Sequence, residues 1–105
     1  MKSIVTEYED ISAFTGNIAE CRHHLIYGRG LRELAEEDGL WIPLTHKEHN
    51  MASELIYQIH GNPAAEHLSR MLGQLAWEKH QIVDCGYSET EAREAFMGRY
   101  GRSYL

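Results

Sequence analysis

Apolar and polar positions change period several times along this chain, and each change marks an element. Residues 1–18 follow no period, and Gly16-Asn17 is a turn signal. Over residues 20–27, "ECRHHLIY", the β-formers Ile26 and Tyr27 predict a strand. "RGLRELAEEDG" then sets Leu31, Leu34 and Ala35 on one helical side, with Gly39 where a C-cap glycine belongs. "LWIPL", residues 40–44, reads as a short buried strand; Pro43 has no N–H to give a ladder and confines it to an edge or an end. From His46 the period turns helical: His46, His49 and Asn50 fall at i, i+3 and i+4, and Leu55, Ile56 and Ile59 continue the pattern. "HGNP" interrupts it, with Asn62 set to cap a long helix and Pro63 at that helix's first position. The long helix runs to about Val83 and is apolar at Leu68, Met71, Leu72, Leu75, Ala76 and Ile82. Trp77, Met71 and Leu75 are its expected core residues, with His67 and His80 on its polar side. "SETE", 88–91, is a capping box for a last helix carrying Ala92, Ala95 and Phe96. The pattern predicts an α+β, mostly helical fold: a short two-strand element and a helix beside a long helix and a C-terminal helix.

Composition narrows this picture. A chain of 105 residues forms one domain with a modest core, and 43% hydrophobic with 25% charged residues is ordinary for a globular protein. No apolar run approaches the roughly 20 residues that span a bilayer, and "MKSIVTEYEDIS" has no signal-peptide core, so no membrane association is expected. Cys21 and Cys85 form neither a Cys-x-x-Cys pair nor a disulfide framework, which suits a reducing, cytoplasmic setting. The formal net charge of −6 disfavours nucleic acid as a partner on whole-chain grounds. The charges are uneven, however: Arg22, Arg29 and Arg32 surround a histidine doublet, His23-His24, in which the chemical interest lies. Those arginines either pair with Glu33, Glu36 and Glu37 as a solvated face or clamp phosphate.

Seven histidines in so short a chain invite a metal or acid–base reading. A strand with His-His, a connection, a short strand, and a helix opening on histidine together resemble the ββα-metal, or HNH, endonuclease finger. The resemblance is most specific over "ECRHHLIYGRG" and "DGLWIPLTHKEHN", and is nearest to small phage-encoded HNH proteins. It extends more loosely through "IHGNP", "GQLAWEKH" and "GRSYL". It implies a finger over about residues 19–58, a helical part over about 62–105, and metal-dependent hydrolysis of DNA phosphodiester bonds in a bacterial or phage-infected cell.

By the same resemblance His23 is a metal ligand, His24 the general base that activates water, and His49 a second ligand. One divalent ion (Mg, Mn or Zn) is implied, and an open catalytic site leaves room for about three protein ligands. His60 is the choice for the third, since Gly61 and Pro63 let "IHGNP" fold back over the finger; His46 and His67 are the alternatives. Arg22, Arg29 and Lys47 would contact DNA phosphates. Cys21, two residues before the doublet, is either a soft ligand or a buried thiol.

Two departures from the family pattern matter. Many relatives carry a structural zinc on two Cys-x-x-Cys pairs; the corresponding positions here are Ser12, Thr15, Thr45 and Glu48, so no structural zinc is expected. The family's middle Asn, which fixes the loop before the second strand, falls at Leu40 beside Gly39. With the acidic charge, these departures define the rival expectation: a degenerate finger that binds a protein partner, with homodimerisation also open, through an acidic, DNA-mimicking surface.

Overall fold

The structure is a computed structural model that describes residues 1–105. Two short strands, β1 (Cys21–His24) and β2 (Trp41–Leu44), pair antiparallel with His23 opposite Ile42 and His24 opposite Trp41. Helix α1 (Leu31–Asp38) connects them and ends at Gly39, whose left-handed φ of 71° allows the N–H groups of Gly39 and Leu40 to return to Glu36 and Ala35. An added Cβ at Gly39 would stand 2.3 Å from the Lys2 carbonyl oxygen, so only glycine lets the N-terminal segment close over this turn. The Gly39 carbonyl accepts from Ile4 N–H, and the Leu40 carbonyl accepts from Leu25 N–H. Backbone bonds thus close the loop that leads into β2.

Helix α2 (Pro63–Cys85) starts where Asn62 accepts from Ala65 N–H, and α3 (Glu89–Tyr100) starts in a reciprocal Ser88/Glu91 capping box. The architecture is mostly helical with one two-stranded antiparallel sheet, an α+β arrangement. Gly16 makes the predicted turn at positive φ, flanked by an Ile11–Ile18 bridge.

The expected helix from His46 through Ile59 does not form. A single π-helical turn, Lys47–Met51, is followed by extended Ala52 and a 3₁₀ turn at Leu55–Tyr57. The reason lies in where the backbone groups go. A helix would return the Glu48 and His49 carbonyls to residues 52 and 53; instead they accept from Ile59 and His60 N–H, and Ala52 N–H donates to the Gln58 side chain. The segment folds back on itself, leaving Leu55 and Ile56 exposed and Ile59 buried.

The core has two parts. Ile26, Ala35, Leu40, Trp77, Phe96 and Tyr100 form one; Leu25, Ile42, Leu44 and Ile59 form the other beneath the sheet. Fully buried side chains such as Phe96 each contribute about 1.5–3 kcal/mol by leaving water. Asp38 joins α1 to α2 and α3 by accepting from Trp77 Nε1 (3.0 Å), Arg99 Nε (2.7 Å) and the Tyr100 hydroxyl (2.6 Å). These donors offset the unfavourable placing of a carboxylate at a helix C-terminus.

The long helix does not bury the stripe its leucines suggest. Trp77 is buried, but Leu68, Leu72 and Leu75 are exposed and Met71 is half-buried. The inward positions are Ser69, Gly73, Gln74, Trp77 and Glu78. At Gly73 the segment just after β1 comes so close that a Cβ would lie 2.8 Å from Ile26 Cγ1. Gln74 is wholly buried because its side chain satisfies the C-terminal tail, accepting from Tyr104 N–H and donating to the Ser103 hydroxyl. No helix is long and apolar enough to cross a membrane.

Candidate metal centre

Strand alternation divides β1 between two tasks. Cys21 and His23 face one way, Arg22 and His24 the other. Three imidazoles meet on the first face: His23 from β1, His49 from the π turn and His60 from the segment that folds back beside it. One ring nitrogen from each lies within 4.8 Å of the others. The His49 and His60 Nε2 atoms are 2.9 Å apart, and the His23 ring stands edge-on to both at 5.2 and 5.1 Å between centroids. The bond from His60 N–H to the His49 carbonyl, 3.1 Å, holds the last two together.

A partner outside the cluster assigns the tautomer of His23. Ser69 has one hydroxyl proton and donates it to the Leu25 carbonyl at 2.8 Å, so toward His23 Nε2, 2.7 Å away, it acts as acceptor. His23 therefore carries its proton on Nε2, and its Nδ1 holds a lone pair, buried and with no partner in the protein. Cys21 likewise directs its thiol proton to the Leu44 carbonyl and presents sulfur to His49 Nδ1 at 3.7 Å. His60 Nδ1 faces the Glu66 carboxylate, also at 3.7 Å. In the metal-free protein the 2.9 Å contact between the His49 and His60 Nε2 atoms is a hydrogen bond, one ring donating and the other accepting. A cation held between the rings would take the place of that proton, and outer acceptors of this kind orient metal-ligating imidazoles.

Charge follows the same logic. Burial, then the neighbouring His49 and His60, lower the His23 pKa to about 3. Burial, then His60, His24, His46 and Arg32, lower that of His49 to about 4. Both rings are neutral at neutral pH, the form that binds a metal. Ligand type and count fit a divalent ion with coordination positions left open.

On the other face His24 is nearly buried, and its Nε2 donates to Glu36 Oε1 at 2.8 Å. Arg22 reaches the other Glu36 oxygen, also at 2.8 Å, while its guanidinium lies over Trp41. The bond from His24, with Arg22 adding to it, holds the Glu36 carboxyl at a pKa of about 2. His24 Nδ1 makes no hydrogen bond within the protein. A shallow recess on this face is lined by His24, Arg32, Glu33 and Glu36.

Of the residues the sequence singles out, His23, His49 and His60 come together. His46 is exposed before the π turn and His67 is exposed on α2; neither belongs to the cluster. His80 pairs with Asp84. Arg22 is engaged by Glu36 and Trp41, while Arg29 and Lys47 are exposed. Cys21 sits behind His49 and not among the inner nitrogens. The residues matching the missing thiols do converge: Glu48 Oε1 accepts from the Ser12 hydroxyl (2.6 Å) and from Thr45 N–H (2.9 Å). Burial opposes ionisation of Glu48, but these bonds and one from Thr15 hold its carboxyl below the usual range. Sequence reading did not single out Ser69, Glu66 or Arg70, which stand on the long helix dozens of residues from the doublet, and it read Tyr27 only as a strand former. No local pattern marks them.

Comparison with known proteins gives no match: no family model, no curated protein and no solved structure aligns significantly with the chain.

Proposed function

We propose that this chain is a metal-dependent endonuclease of the HNH, or ββα-metal, type that hydrolyses DNA phosphodiester bonds. The observation that carries the reading is the meeting of His23, His49 and His60, one ring nitrogen of each within 4.8 Å of the others, with His23 Nδ1 buried and without a partner in the protein. A divalent metal held there would neutralise charge on the scissile phosphate and the leaving oxygen. His24 supplies the base. With Nε2–H donated to Glu36, its Nδ1 is free to take a proton from water, and the Glu36 carboxylate stabilises the imidazolium that results.

The reading separates the two histidines of the doublet. His23→Ala is expected to lose affinity for Mn²⁺ or Zn²⁺. His24→Ala is expected to retain metal and lose cleavage by about 10²–10⁴-fold, the usual cost of a removed general base. Calorimetric metal titration with a plasmid-nicking assay checks both, and wild-type metal affinity in His23→Ala would sink the assignment. A second reading, an acidic interaction protein on a degenerate finger, draws on the net charge of −6 and on the engagement of Arg22 by Glu36. Metal-loaded wild-type protein that leaves every plasmid intact would favour it.

A further inference from the structure

The arginines differ in how they are used. Arg22 pairs with Glu36, Arg93 with Glu78, and Arg99 with Glu37 and Asp38. Arg70, half-buried on α2, has no carboxylate within ion-pair distance and donates no hydrogen bond. Its guanidinium carbon lies 4.4 Å from the centre of the Tyr27 ring. That ring stands edge-on to His60 at 4.8 Å and to His23 at 5.7 Å between centroids. Glu66, one helical turn before Arg70, is the natural i, i+4 partner, yet its carboxylate accepts from the Tyr27 hydroxyl at 2.9 Å and faces His60. Arg70 also follows Ser69, the residue that fixes the His23 tautomer. A planar cation is thus stacked in one orientation, with its donors unspent, one aromatic ring from the inner nitrogens.

We infer that Arg70 receives the scissile-phosphate oxygens of a nucleic-acid substrate at the three-histidine centre, a role that rests on the nuclease reading above. A guanidinium fork matches two phosphate oxygens, and stacking on Tyr27 fixes its plane so that little freedom is lost on binding. In a chain of net charge −6, attraction for a polyanion must come from local cations of this kind. Arg70 lies on the long helix, outside the strand-and-turn segment that holds His23 and His49, so α2 would supply substrate contact as well as support.

The test loads wild type, Arg70→Met and Arg70→Lys with Co²⁺ and titrates inorganic phosphate against the cobalt absorption bands. All three proteins should take cobalt alike. Phosphate affinity should fall on the order of 10- to 100-fold in Arg70→Met, the worth of a charge-assisted hydrogen-bonded pair, and less in Arg70→Lys, which keeps charge without the fork. For duplex DNA, the slope of log affinity against log salt should fall by about one in Arg70→Met. Equal phosphate affinity in all three cobalt-loaded proteins would overturn the inference and leave the metal centre standing. Loss of cobalt in both Arg70 variants would overturn it too, by showing that Arg70 only supports the fold. Failure of the wild type to bind cobalt would remove the metal reading itself and this role with it.

Discussion

Ser69 is the residue on which the chemistry of the centre turns. Its hydroxyl accepts from His23 Nε2 and donates to the Leu25 carbonyl, so one side chain fixes both the tautomer of His23 and the segment that follows β1. Ser69→Ala leaves His23 with two unpaired nitrogens and the Leu25 carbonyl without this donor. Metal affinity should fall about 10–100-fold, as for other lost outer partners of ligating histidines, and stability should fall by about 1–3 kcal/mol. Cobalt titration and a urea melt of the variant read the two effects separately; unchanged cobalt affinity would mean that Ser69 does not set the tautomer. Glu36 has a parallel part for His24, but its second oxygen is occupied by Arg22, so it is less single-purpose.

At the scale of elements, the contact between α2 and the segment just after β1 governs whether the three histidines can meet. Gly73 has no side chain where Ile26 and Leu25 press in, and a Cβ would lie 2.8 Å from Ile26 Cγ1 and 3.1 Å from Leu25 Cβ. Ile26 is fully buried and cannot swing aside. Gly73→Ala gains about 1 kcal/mol in helix propensity and meets an overpacking cost of roughly 1–3 kcal/mol. A net loss of about 1 kcal/mol is expected, with weakened metal binding, because displacing α2 carries Ser69 away from His23. A thermal melt at or above wild type would show that the strand end yields more easily than its burial implies. The π turn is the other decisive element. Its free carbonyls pair with Ile59 and His60, and this pairing brings His60 to His49.

Two predictions belong to the whole molecule. Chelation should leave the fold intact, because two apolar clusters and the Ser12–Glu48–Thr45 bonds hold the hairpin without a thiolate cage. Circular dichroism melts with and without chelator should differ only by linkage, about 2.7 kcal/mol at a hundredfold excess over Kd, and unfolding on chelation would reveal a structural metal. The second prediction concerns acid. The unfolded chain takes up protons on His23 and His49 near pH 6.5, but the folded chain refuses them until about pH 3 and 4 respectively. The unfolded state therefore binds more protons across that window. Stability is fully present above pH 6.5 and is lost as pH falls, at up to roughly 1.4 kcal/mol per pH unit for each imidazole. The carboxyl of Glu36 adds to this loss only below its ordinary value of 4.5, so urea midpoints of the metal-free protein between pH 7 and 5 isolate the imidazoles. A midpoint that does not move over that range would contradict neutral, buried rings.

What the sequence determined alone was whatever rests on neighbours along the chain. The Asn62 and Ser88 caps, the Gly39 stop and the second strand follow from short-range hydrogen-bonding and φ preferences and lie where those preferences put them. The first strand, expected over 20–27, pairs only over Cys21–His24 and leaves the β-formers Ile26 and Tyr27 outside it. The helix expected from His46 to Ile59 failed because its carbonyls found partners eleven residues on, a choice no local preference encodes. The buried face of α2 was misread for a related reason: a small residue, a serine and a glutamine lie inward because of what β1 and the C-terminal tail require of them, while leucines remain outside. The meeting of His23, His49 and His60, and the surroundings that orient each ring, belong to the tertiary structure. Those properties depend on Ser69, Cys21 and Glu66 as partners, and only folding brings these residues within a hydrogen bond's reach or near it.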